Sequence, residues 1–171
     1  MYKLRELENK DLALINSWRN DPELIRQLGA PFRYINPRVD EEWFEHYMAT
    51  RSKNVRCAIV NETDDVLYGL VSLTNIDALN RSAELHLMIG EGRTRGKGIG
   101  TFAVGEILHH AFYNLNLRRI ELTCVETNSI SPRLYVKFGF KKEGVKRKAV
   151  YKEGKYIDLH IYSLLKDEYV E

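Results

Sequence analysis

The period of apolar residues changes along the chain, and each period predicts a type of element. An alternating segment at 2–7 predicts a short strand. Apolar side chains then recur at helical spacing over 9–20, and two further helical segments follow at 22–28 and 40–51. The first third of the chain is therefore predicted to be mainly helical.

The middle of the chain has the two-residue period of strands. Apolar and polar residues alternate over 55–60, 66–76 and 82–90, with short polar turns between them. Because short turns connect neighbouring antiparallel strands, these segments predict an antiparallel meander. A long helix is predicted next, over 96–115, since its apolar positions form a stripe at a helical period. The residues of that stripe are Val104, Ile107, Leu108, Ala111, Phe112 and Leu115.

The remaining segments predict a strand at 117–125, a helix at 128–138, and strands at 140–144 and 156–165. Strands and helices therefore alternate in the second half of the chain. We predict a mixed α/β fold in which helices flank a central, mostly antiparallel sheet. The length of the chain is that of a single domain, spanning the whole sequence.

Composition places the chain among ordinary globular proteins. Hydrophobic residues make up 44% and charged residues 29% of the sequence, which is not the composition of a disordered chain. The formal net charge of +2 gives no overall field for nucleic acid, which we do not expect as a partner. Basic residues do cluster between 137 and 155. We interpret this cluster as a solvated loop, with contact to a polyanionic ligand as the alternative.

The cysteines and the hydropathy pattern indicate a compartment. Cys57 and Cys124 lie far apart and lack the ligand spacing of a zinc site, so we expect free thiols and no metal. No apolar run approaches the length of a membrane span. We therefore expect a reduced, cytoplasmic protein that does not act at a membrane.

A segment rich in glycine and basic residues joins the last strand of the meander to the long helix. It has the sequence RTRGKGIG, at 93–100. Glycines keep side chains off the backbone, so a ligand can approach the peptide N–H groups, and the basic residues favour an anion. The start of a helix adds further N–H donors and a favourable dipole. The segment therefore predicts a phosphate site.

Two common phosphate-binding loops do not fit the spacing. A Walker A loop has four residues between its glycines and a Ser or Thr after its lysine. Only three residues separate Gly92 from Gly96, and Lys97 is followed by Gly98. A dinucleotide fingerprint that starts at Gly96 would need a glycine where Thr101 stands. Neither loop is therefore predicted.

The pattern R-x-x-G-x-G does fit, at 95–100, and a second motif follows downstream. The segment NSISPRLYVKFGF, at 128–140, is similar to N-x-x-A-x-x-x-Y-x-x-x-G-F, with Ser131 in the alanine position. With both motifs in order, the chain resembles the GNAT superfamily of acyl-CoA N-acyltransferases over nearly its whole length. WRND near the start and EGKYIDLHIYSLLKDEY near the end resemble the branch of spermidine and ribosomal-protein alanine N-acetyltransferases. The resemblance implies a GNAT-like fold and acetyl-CoA as the acyl donor.

The resemblance also implies which residues hold coenzyme A. Strand backbone before the glycine-rich loop would pair with the pantetheine arm, and Asn128 would bind that arm from the other side. Arg133, Lys137 and the basic residues of 141–148 are candidates for the 3′-phosphate of the adenosine. The strand positions are Leu87, Met88 and Ile89, and the loop amides for the pyrophosphate are those of Arg95, Gly96, Lys97, Gly98, Ile99, Gly100 and Thr101.

Acetyl transfer to an amine needs a proton acceptor for the amine and a proton donor for the departing thiolate. A free alkylamine has a pKa of roughly 10, so it is mostly protonated at neutral pH. Tyr135, from the second motif, is the predicted general acid. Glu84, an acid within an apolar strand, is the predicted base, acting directly or through water. His86, on the same face of that strand, is the alternative base.

The sequence therefore predicts an acetyl-CoA-dependent N-acetyltransferase that transfers the acetyl group directly to a small amine, a polyamine or an amino sugar. A protein N-terminus, of the ribosomal-protein type, is the alternative acceptor. A non-catalytic acyl-CoA-binding protein and a nucleic-acid module that uses the basic cluster are the alternatives from other classes. Members of the family often form dimers or larger rings, so a homo-oligomer is expected.

Overall fold

One sheet organises the structure, a computed structural model that describes residues 1–90 and 96–170. Within those residues the sheet has seven strands, in the order β1-β2-β3-β4-β5-β7-β6. Every neighbouring pair is antiparallel except β4 with β5, which confirms the predicted meander and the mixed, mostly antiparallel sheet. The strands are β1 (Tyr2–Glu6), β2 (Val55–Asn61), β3 (Leu67–Asp77), β4 (Ser82–Ile89), β5 (Arg119–Val125), β6 (Lys141–Lys152) and β7 (Lys155–Leu165).

The parallel pairing of β4 with β5 is short. Its register joins 82–84 to 119–121 and then stops, whereas β4 continues to Ile89 and β5 to Val125. Beyond Glu84 the two strands therefore separate, and β4 remains paired with β3 on its other side. The sheet opens into a cleft at this point.

Helices cover both faces of the sheet. Val104 and Ile107, on the helix that follows the glycine-rich segment, share the main core with Val71 of β3. Leu70, the neighbour of Val71, points to the opposite face and packs with Met88 against the first three helices in a second core. Among the described residues, no helix is long and apolar enough to cross a membrane. The helices are α1 (Leu12–Arg19), α2 (Pro22–Arg26), α3 (Pro37–Ala49), α4 (Ile99–His109) and α5 (Ser131–Lys137).

The helices differ by a few residues from their predicted boundaries. The long predicted helix is α4 followed by a π-helical segment, His110–Asn114. α3 starts earlier than predicted, because the Asn36 side chain caps it and Pro37 occupies its first turn. As a result Asp40 lies inside α3, where it is buried and paired with Arg19. This carboxylate therefore has a structural role between α1 and α3.

The basic cluster between 137 and 155 is solvated, but the interpretation of it as a loop is wrong. Most of the cluster forms β6, which pairs with β7, and the predicted strand at 140–144 is only the start of β6. β6 is an edge strand that is exposed along most of its length, so it lacks the apolar alternation that reveals a strand. Lysines on an edge strand hinder pairing with other chains.

Candidate active site

The cleft beside β4 contains three adjoining cavities, which we call outer, middle and inner. Their volumes are about 400, 310 and 470 Å³ respectively. The outer and middle cavities share Ile89 and Leu134 in their walls. The middle and inner cavities share Leu87 and Asn128. The three cavities therefore form one continuous groove that starts beside the N-terminus of α4.

Glycine backbone forms part of the outer cavity. Gly96 and Gly98 have φ angles of 82° and 81°, in the left-handed region that favours glycine. A Cβ atom built on either residue meets nothing within 4 Å, so the space in front of this backbone is open. Gly98 is the N-cap residue of α4 and provides no side-chain cap, which leaves first-turn N–H groups such as those of Ile99 and Thr101 available to an anion. Arg95 lies outside the described residues.

Two basic side chains face the same outer cavity. Arg133 and Lys137 lie one helical turn apart on α5 and line the cavity together with Gly98 and Thr101. The basic residues of 141–148 line none of the three cavities, since they lie on β6. The structure therefore brings two of the predicted phosphate ligands to the glycine-rich backbone and leaves the β6 residues elsewhere.

The predicted pantetheine strand forms the wall of the middle cavity. Leu87, Met88 and Ile89 all line it. These residues follow the last parallel pair of β4 with β5, so β4 has a strand neighbour there on the β3 side only. Its other edge presents backbone N–H and C=O groups toward the cleft, where an extended amide-bearing chain can pair with them.

Asn128 is hydrogen-bonded within the protein at both atoms of its amide. Its Oδ1 accepts from the backbone N–H groups of Ile130 and Ser131, which forms the turn into α5. Its Nδ2 donates to Ser131 Oγ at 2.8 Å and to the backbone O of Gln27 at 3.1 Å. Binding of pantetheine by Asn128 stays a prediction, and it would require the Nδ2 group to exchange its bond to Gln27.

Tyr135 lies on the wall of the inner cavity. Its side chain is 5% exposed and packs edge-to-face against Phe140, with the ring centroids 5.6 Å apart. No hydrogen bond involves its hydroxyl among the described residues. Burial raises the pKa of Tyr135 well above its usual value, and a coulombic effect of Cys124 acts in the same direction. The phenol is therefore protonated at neutral pH and able to donate its proton within the cavity.

Of the two predicted bases, His86 lines the inner cavity and Glu84 lines none of the three. The His86 ring is half-exposed, with Nε2 2.9 Å from Thr74 Oγ1 and 3.8 Å from Glu84 Oε2. Desolvation lowers the pKa of His86, and Arg56 lowers it further, against the opposing effect of Glu84. His86 is therefore neutral at pH 7, the form that accepts a proton. Glu84 as the base stays a prediction.

Further residues of the inner cavity were missed by sequence reasoning. Arg56 and Ser72 lie on β2 and β3, in register with each other and with His86, and both line the cavity. In the sequence, each of them is a single polar residue in a strand of alternating apolar and polar positions. A solvent-exposed position gives the same pattern as a position in a cavity. Only the pairing register, which joins segments distant in sequence, shows that they share a wall.

The loop after α2 is the second missed part. Its residues 27–30 line the inner cavity opposite the sheet. Lys152, near the turn between β6 and β7, donates hydrogen bonds from Nζ to the backbone O atoms of Ile25 and Ala30. A lysine in a basic run gives no sequence signal for such a contact, because its partners lie more than a hundred residues away.

A groove of this shape, with open glycine backbone and two basic side chains at one end and Tyr135 and His86 at the other, fits an acyl-CoA-dependent acyltransferase. Residues 2–141 match the family described as the acetyltransferase (GNAT) domain. The chain therefore belongs to the GNAT family. It is an N-acetyltransferase that uses acetyl-CoA as its acyl donor.

Similar proteins cover between about three fifths and nearly all of the chain. An uncharacterized N-acetyltransferase of Bacillus licheniformis is 32% identical over 97% of this chain and 93% of its own length. A putative ribosomal N-acetyltransferase of Bacillus subtilis is 38% identical over 62% of this chain and 57% of its own length. The crystal structure of a spermidine N-acetyltransferase from Vibrio cholerae, in complex with CoA and spermine, has a TM-score of 0.92 and 26% identity, covering 99% of this chain and 98% of that one.

Proposed function

We propose that the protein transfers the acetyl group of acetyl-CoA directly to a primary amine held in the inner cavity. His86 accepts the proton of the amine, and Tyr135 donates a proton to the departing sulfur. The observation that carries this proposal is the position of both side chains on one cavity, at the far end of a groove that begins at the glycine-rich backbone.

The protonation states support these roles. The ammonium form of an alkylamine must lose a proton before it attacks, and a neutral imidazole close by can take that proton. The lowered pKa of His86 and the raised pKa of Tyr135 place the base and the acid in their reactive forms at the same pH. Glu84 Oε2 lies 3.8 Å from His86 Nε2. Glu84 either orients the His86 ring or serves as the base itself, directly or through water.

The thiol in the cavity favours direct transfer over an acyl-enzyme route. Cys124 lines the inner cavity, where an acylated cysteine would form if the enzyme used one. Burial raises the pKa of the Cys124 thiol to about 11. The thiolate, which is the nucleophile, is therefore rare at neutral pH. Attack by the amine on the bound thioester needs no such intermediate.

Two of the similar proteins favour different acceptors. The likeness to the spermidine N-acetyltransferase of Vibrio cholerae favours a small amine such as a polyamine, and an amino sugar belongs to the same class of acceptor. The 38% identity to the putative ribosomal N-acetyltransferase of Bacillus subtilis favours a protein N-terminus. The resemblance to this branch also favours a homo-oligomer, which light scattering of the purified protein tests.

An amine panel tests the function. Release of free CoA thiol from acetyl-CoA is followed with spermidine, glucosamine, free amino acids and short peptides, and the acetylated product is identified by mass spectrometry. We expect at least one class of amine to be acetylated, and turnover to fall in Tyr135→Phe. If acetyl-CoA protects the protein against heat but no amine releases thiol, the protein is a non-catalytic acyl-CoA binder and the proposal fails.

A further inference from the structure

A row of polar side chains crosses the sheet at the inner cavity. Arg56 of β2 is in register with Ser72 of β3, which is in register with His86 of β4. Residues in register on neighbouring strands point to the same face and lie about 5 Å apart, so Arg56 and His86 are separated by about 10 Å along the row. A small molecule can therefore contact both residues at once.

Arg56 has no counter-charge within the described part of the chain. Its guanidinium lies over the Trp43 ring, at 4.8 Å from the centroid, and near the Tyr47 ring, at 5.8 Å. Its buried Nε has no hydrogen-bond partner among the described residues. Other part-buried arginines are paired: Arg5 with Asp11, Arg19 with Asp40, and Arg119 with Glu143. A part-buried cation without an acceptor is costly, and an anion supplied by a ligand removes that cost.

The charge of the inner cavity agrees with an anionic ligand. The described residues that line the inner cavity include no Asp and no Glu. Among these described residues, Arg56 alone carries a permanent charge. A polyamine carries several positive charges and would find no carboxylate on this wall. Stacking on Trp43 holds the planar guanidinium in place, which suits two-point recognition of a carboxylate.

We propose that Arg56 binds a carboxylate of the acceptor. The acceptor is then a primary amine that also carries a carboxylate, as a free amino acid or as an acidic residue near the N-terminus of a peptide, and it is not a polyamine. This inference rests on the proposed function, because the acceptor amine is placed at His86. Arg56 contacts the part of the acceptor that does not react and sets the specificity of the transfer.

Matched pairs of amines test this role. 4-Aminobutyrate and butylamine differ at the end far from the amine, and 6-aminohexanoate and hexylamine form a longer pair. The peptide amides Ser-Glu-Gly and Ser-Gln-Gly form the third pair, which separates a peptide source from a free amino acid. In the wild-type enzyme we expect kcat/KM to be about tenfold or more higher for the carboxylate member of at least one pair.

Variants assign that preference to Arg56. In Arg56→Met the ratio within the preferred pair should fall to near one, and Arg56→Lys should retain part of it, because lysine keeps the charge without the planar fork. Arg38→Met is the matched control, since Arg38 is exposed on α3 and contacts Glu42. The proposal is overturned if no pair shows a preference for the carboxylate member, or if that preference survives in Arg56→Met. It is also overturned if spermidine is a better substrate than every carboxylate-bearing amine.

A binding measurement separates this inference from the proposed function. The same pairs are titrated by calorimetry into the wild-type protein and Arg56→Met, each in the presence of CoA. If the carboxylate member binds to the wild-type protein but not to Arg56→Met, and no thiol is released, the anion site is supported and the proposed catalysis is wrong. If both members bind equally and are acetylated at equal rates, the catalysis is supported and the anion site is wrong.

Discussion

Inside the inner cavity, the surroundings favour the neutral forms of three titratable side chains. Burial raises the pKa of Tyr135 and raises the pKa of Cys124 to about 11. Desolvation lowers the pKa of His86. Each shift has the sign that a weakly solvating environment imposes on the charged form. At neutral pH the cavity therefore contains a protonated phenol, a neutral imidazole and a thiol that is rarely ionised.

Replacement of Tyr135 by Phe tests the role of the acid. The phenyl ring keeps the edge-to-face contact with Phe140, so the fold and the cavity wall should persist. Loss of the proton donor should lower kcat by about tenfold or more, with little change in the affinity for acetyl-CoA. Steady-state kinetics and calorimetry measure the two quantities. An equal loss of acetyl-CoA affinity would make Tyr135 a packing residue.

The pH dependence of kcat/KM distinguishes His86 from Glu84 as the base. Because the pKa of His86 is lowered, its neutral form should persist below pH 6.5, and activity should fall only in more acidic solution. Glu84 raises the pKa of His86, so Glu84→Gln should move the acid limb to still lower pH while activity is kept. His86→Gln should remove the limb. Loss of activity in Glu84→Gln, with a normal limb in His86→Gln, would instead identify Glu84 as the base.

At the level of elements, periodicity predicted the parts of the fold that bury one face. The meander β2–β4 and the helix α4 have clear two-residue and helical periods, and both were predicted. β6 was predicted too short, because an exposed edge strand carries no apolar alternation. The register of Arg56 with Ser72 and His86 was not predictable, since no local pattern encodes which strands become neighbours. The glycine-rich loop and the segment around Tyr135 were recognised because the spacing of their residues resembles two motifs of the family.

The junction of β4 and α4 gives a prediction with a matched control. Gly98→Ala adds a Cβ to backbone at φ 81°, in the open space where a phosphate would lie, so acetyl-CoA affinity should fall by about tenfold or more. Gly154, in the turn between β6 and β7, has the same φ of 81° and the same open surroundings. Gly154→Ala should therefore lose similar stability but keep acetyl-CoA affinity. Calorimetry and thermal unfolding measure both variants, and equal affinities would contradict the loop assignment.

At the level of the whole molecule, distant parts of the chain close the groove. β4 and β5 separate after a short parallel pairing, which opens one side of the sheet. The turn between β6 and β7 reaches back to the region of α2, where Lys152 holds the backbone of Ile25 and Ala30 and Glu153 pairs with Arg26. The loop at 27–30 is thereby fixed over the inner cavity. The wall of the inner cavity therefore depends on the C-terminal hairpin as well as on the sheet.

The contact of the hairpin with the loop at 27–30 predicts that a substitution in the hairpin changes the binding of the amine. Lys152→Met removes the ammonium that bonds the carbonyls of Ile25 and Ala30 while it keeps an apolar stem of similar length. The loop at 27–30 should loosen, so KM for the amine should rise severalfold. KM for acetyl-CoA should change less, because the phosphate end of the groove lies on α4 and α5. Lys155→Met, at the exposed residue paired with Lys152 in the same hairpin, is the control and should leave both KM values unchanged. Equal changes in the two variants would show that Lys152 does not position the loop at 27–30 for acceptor binding.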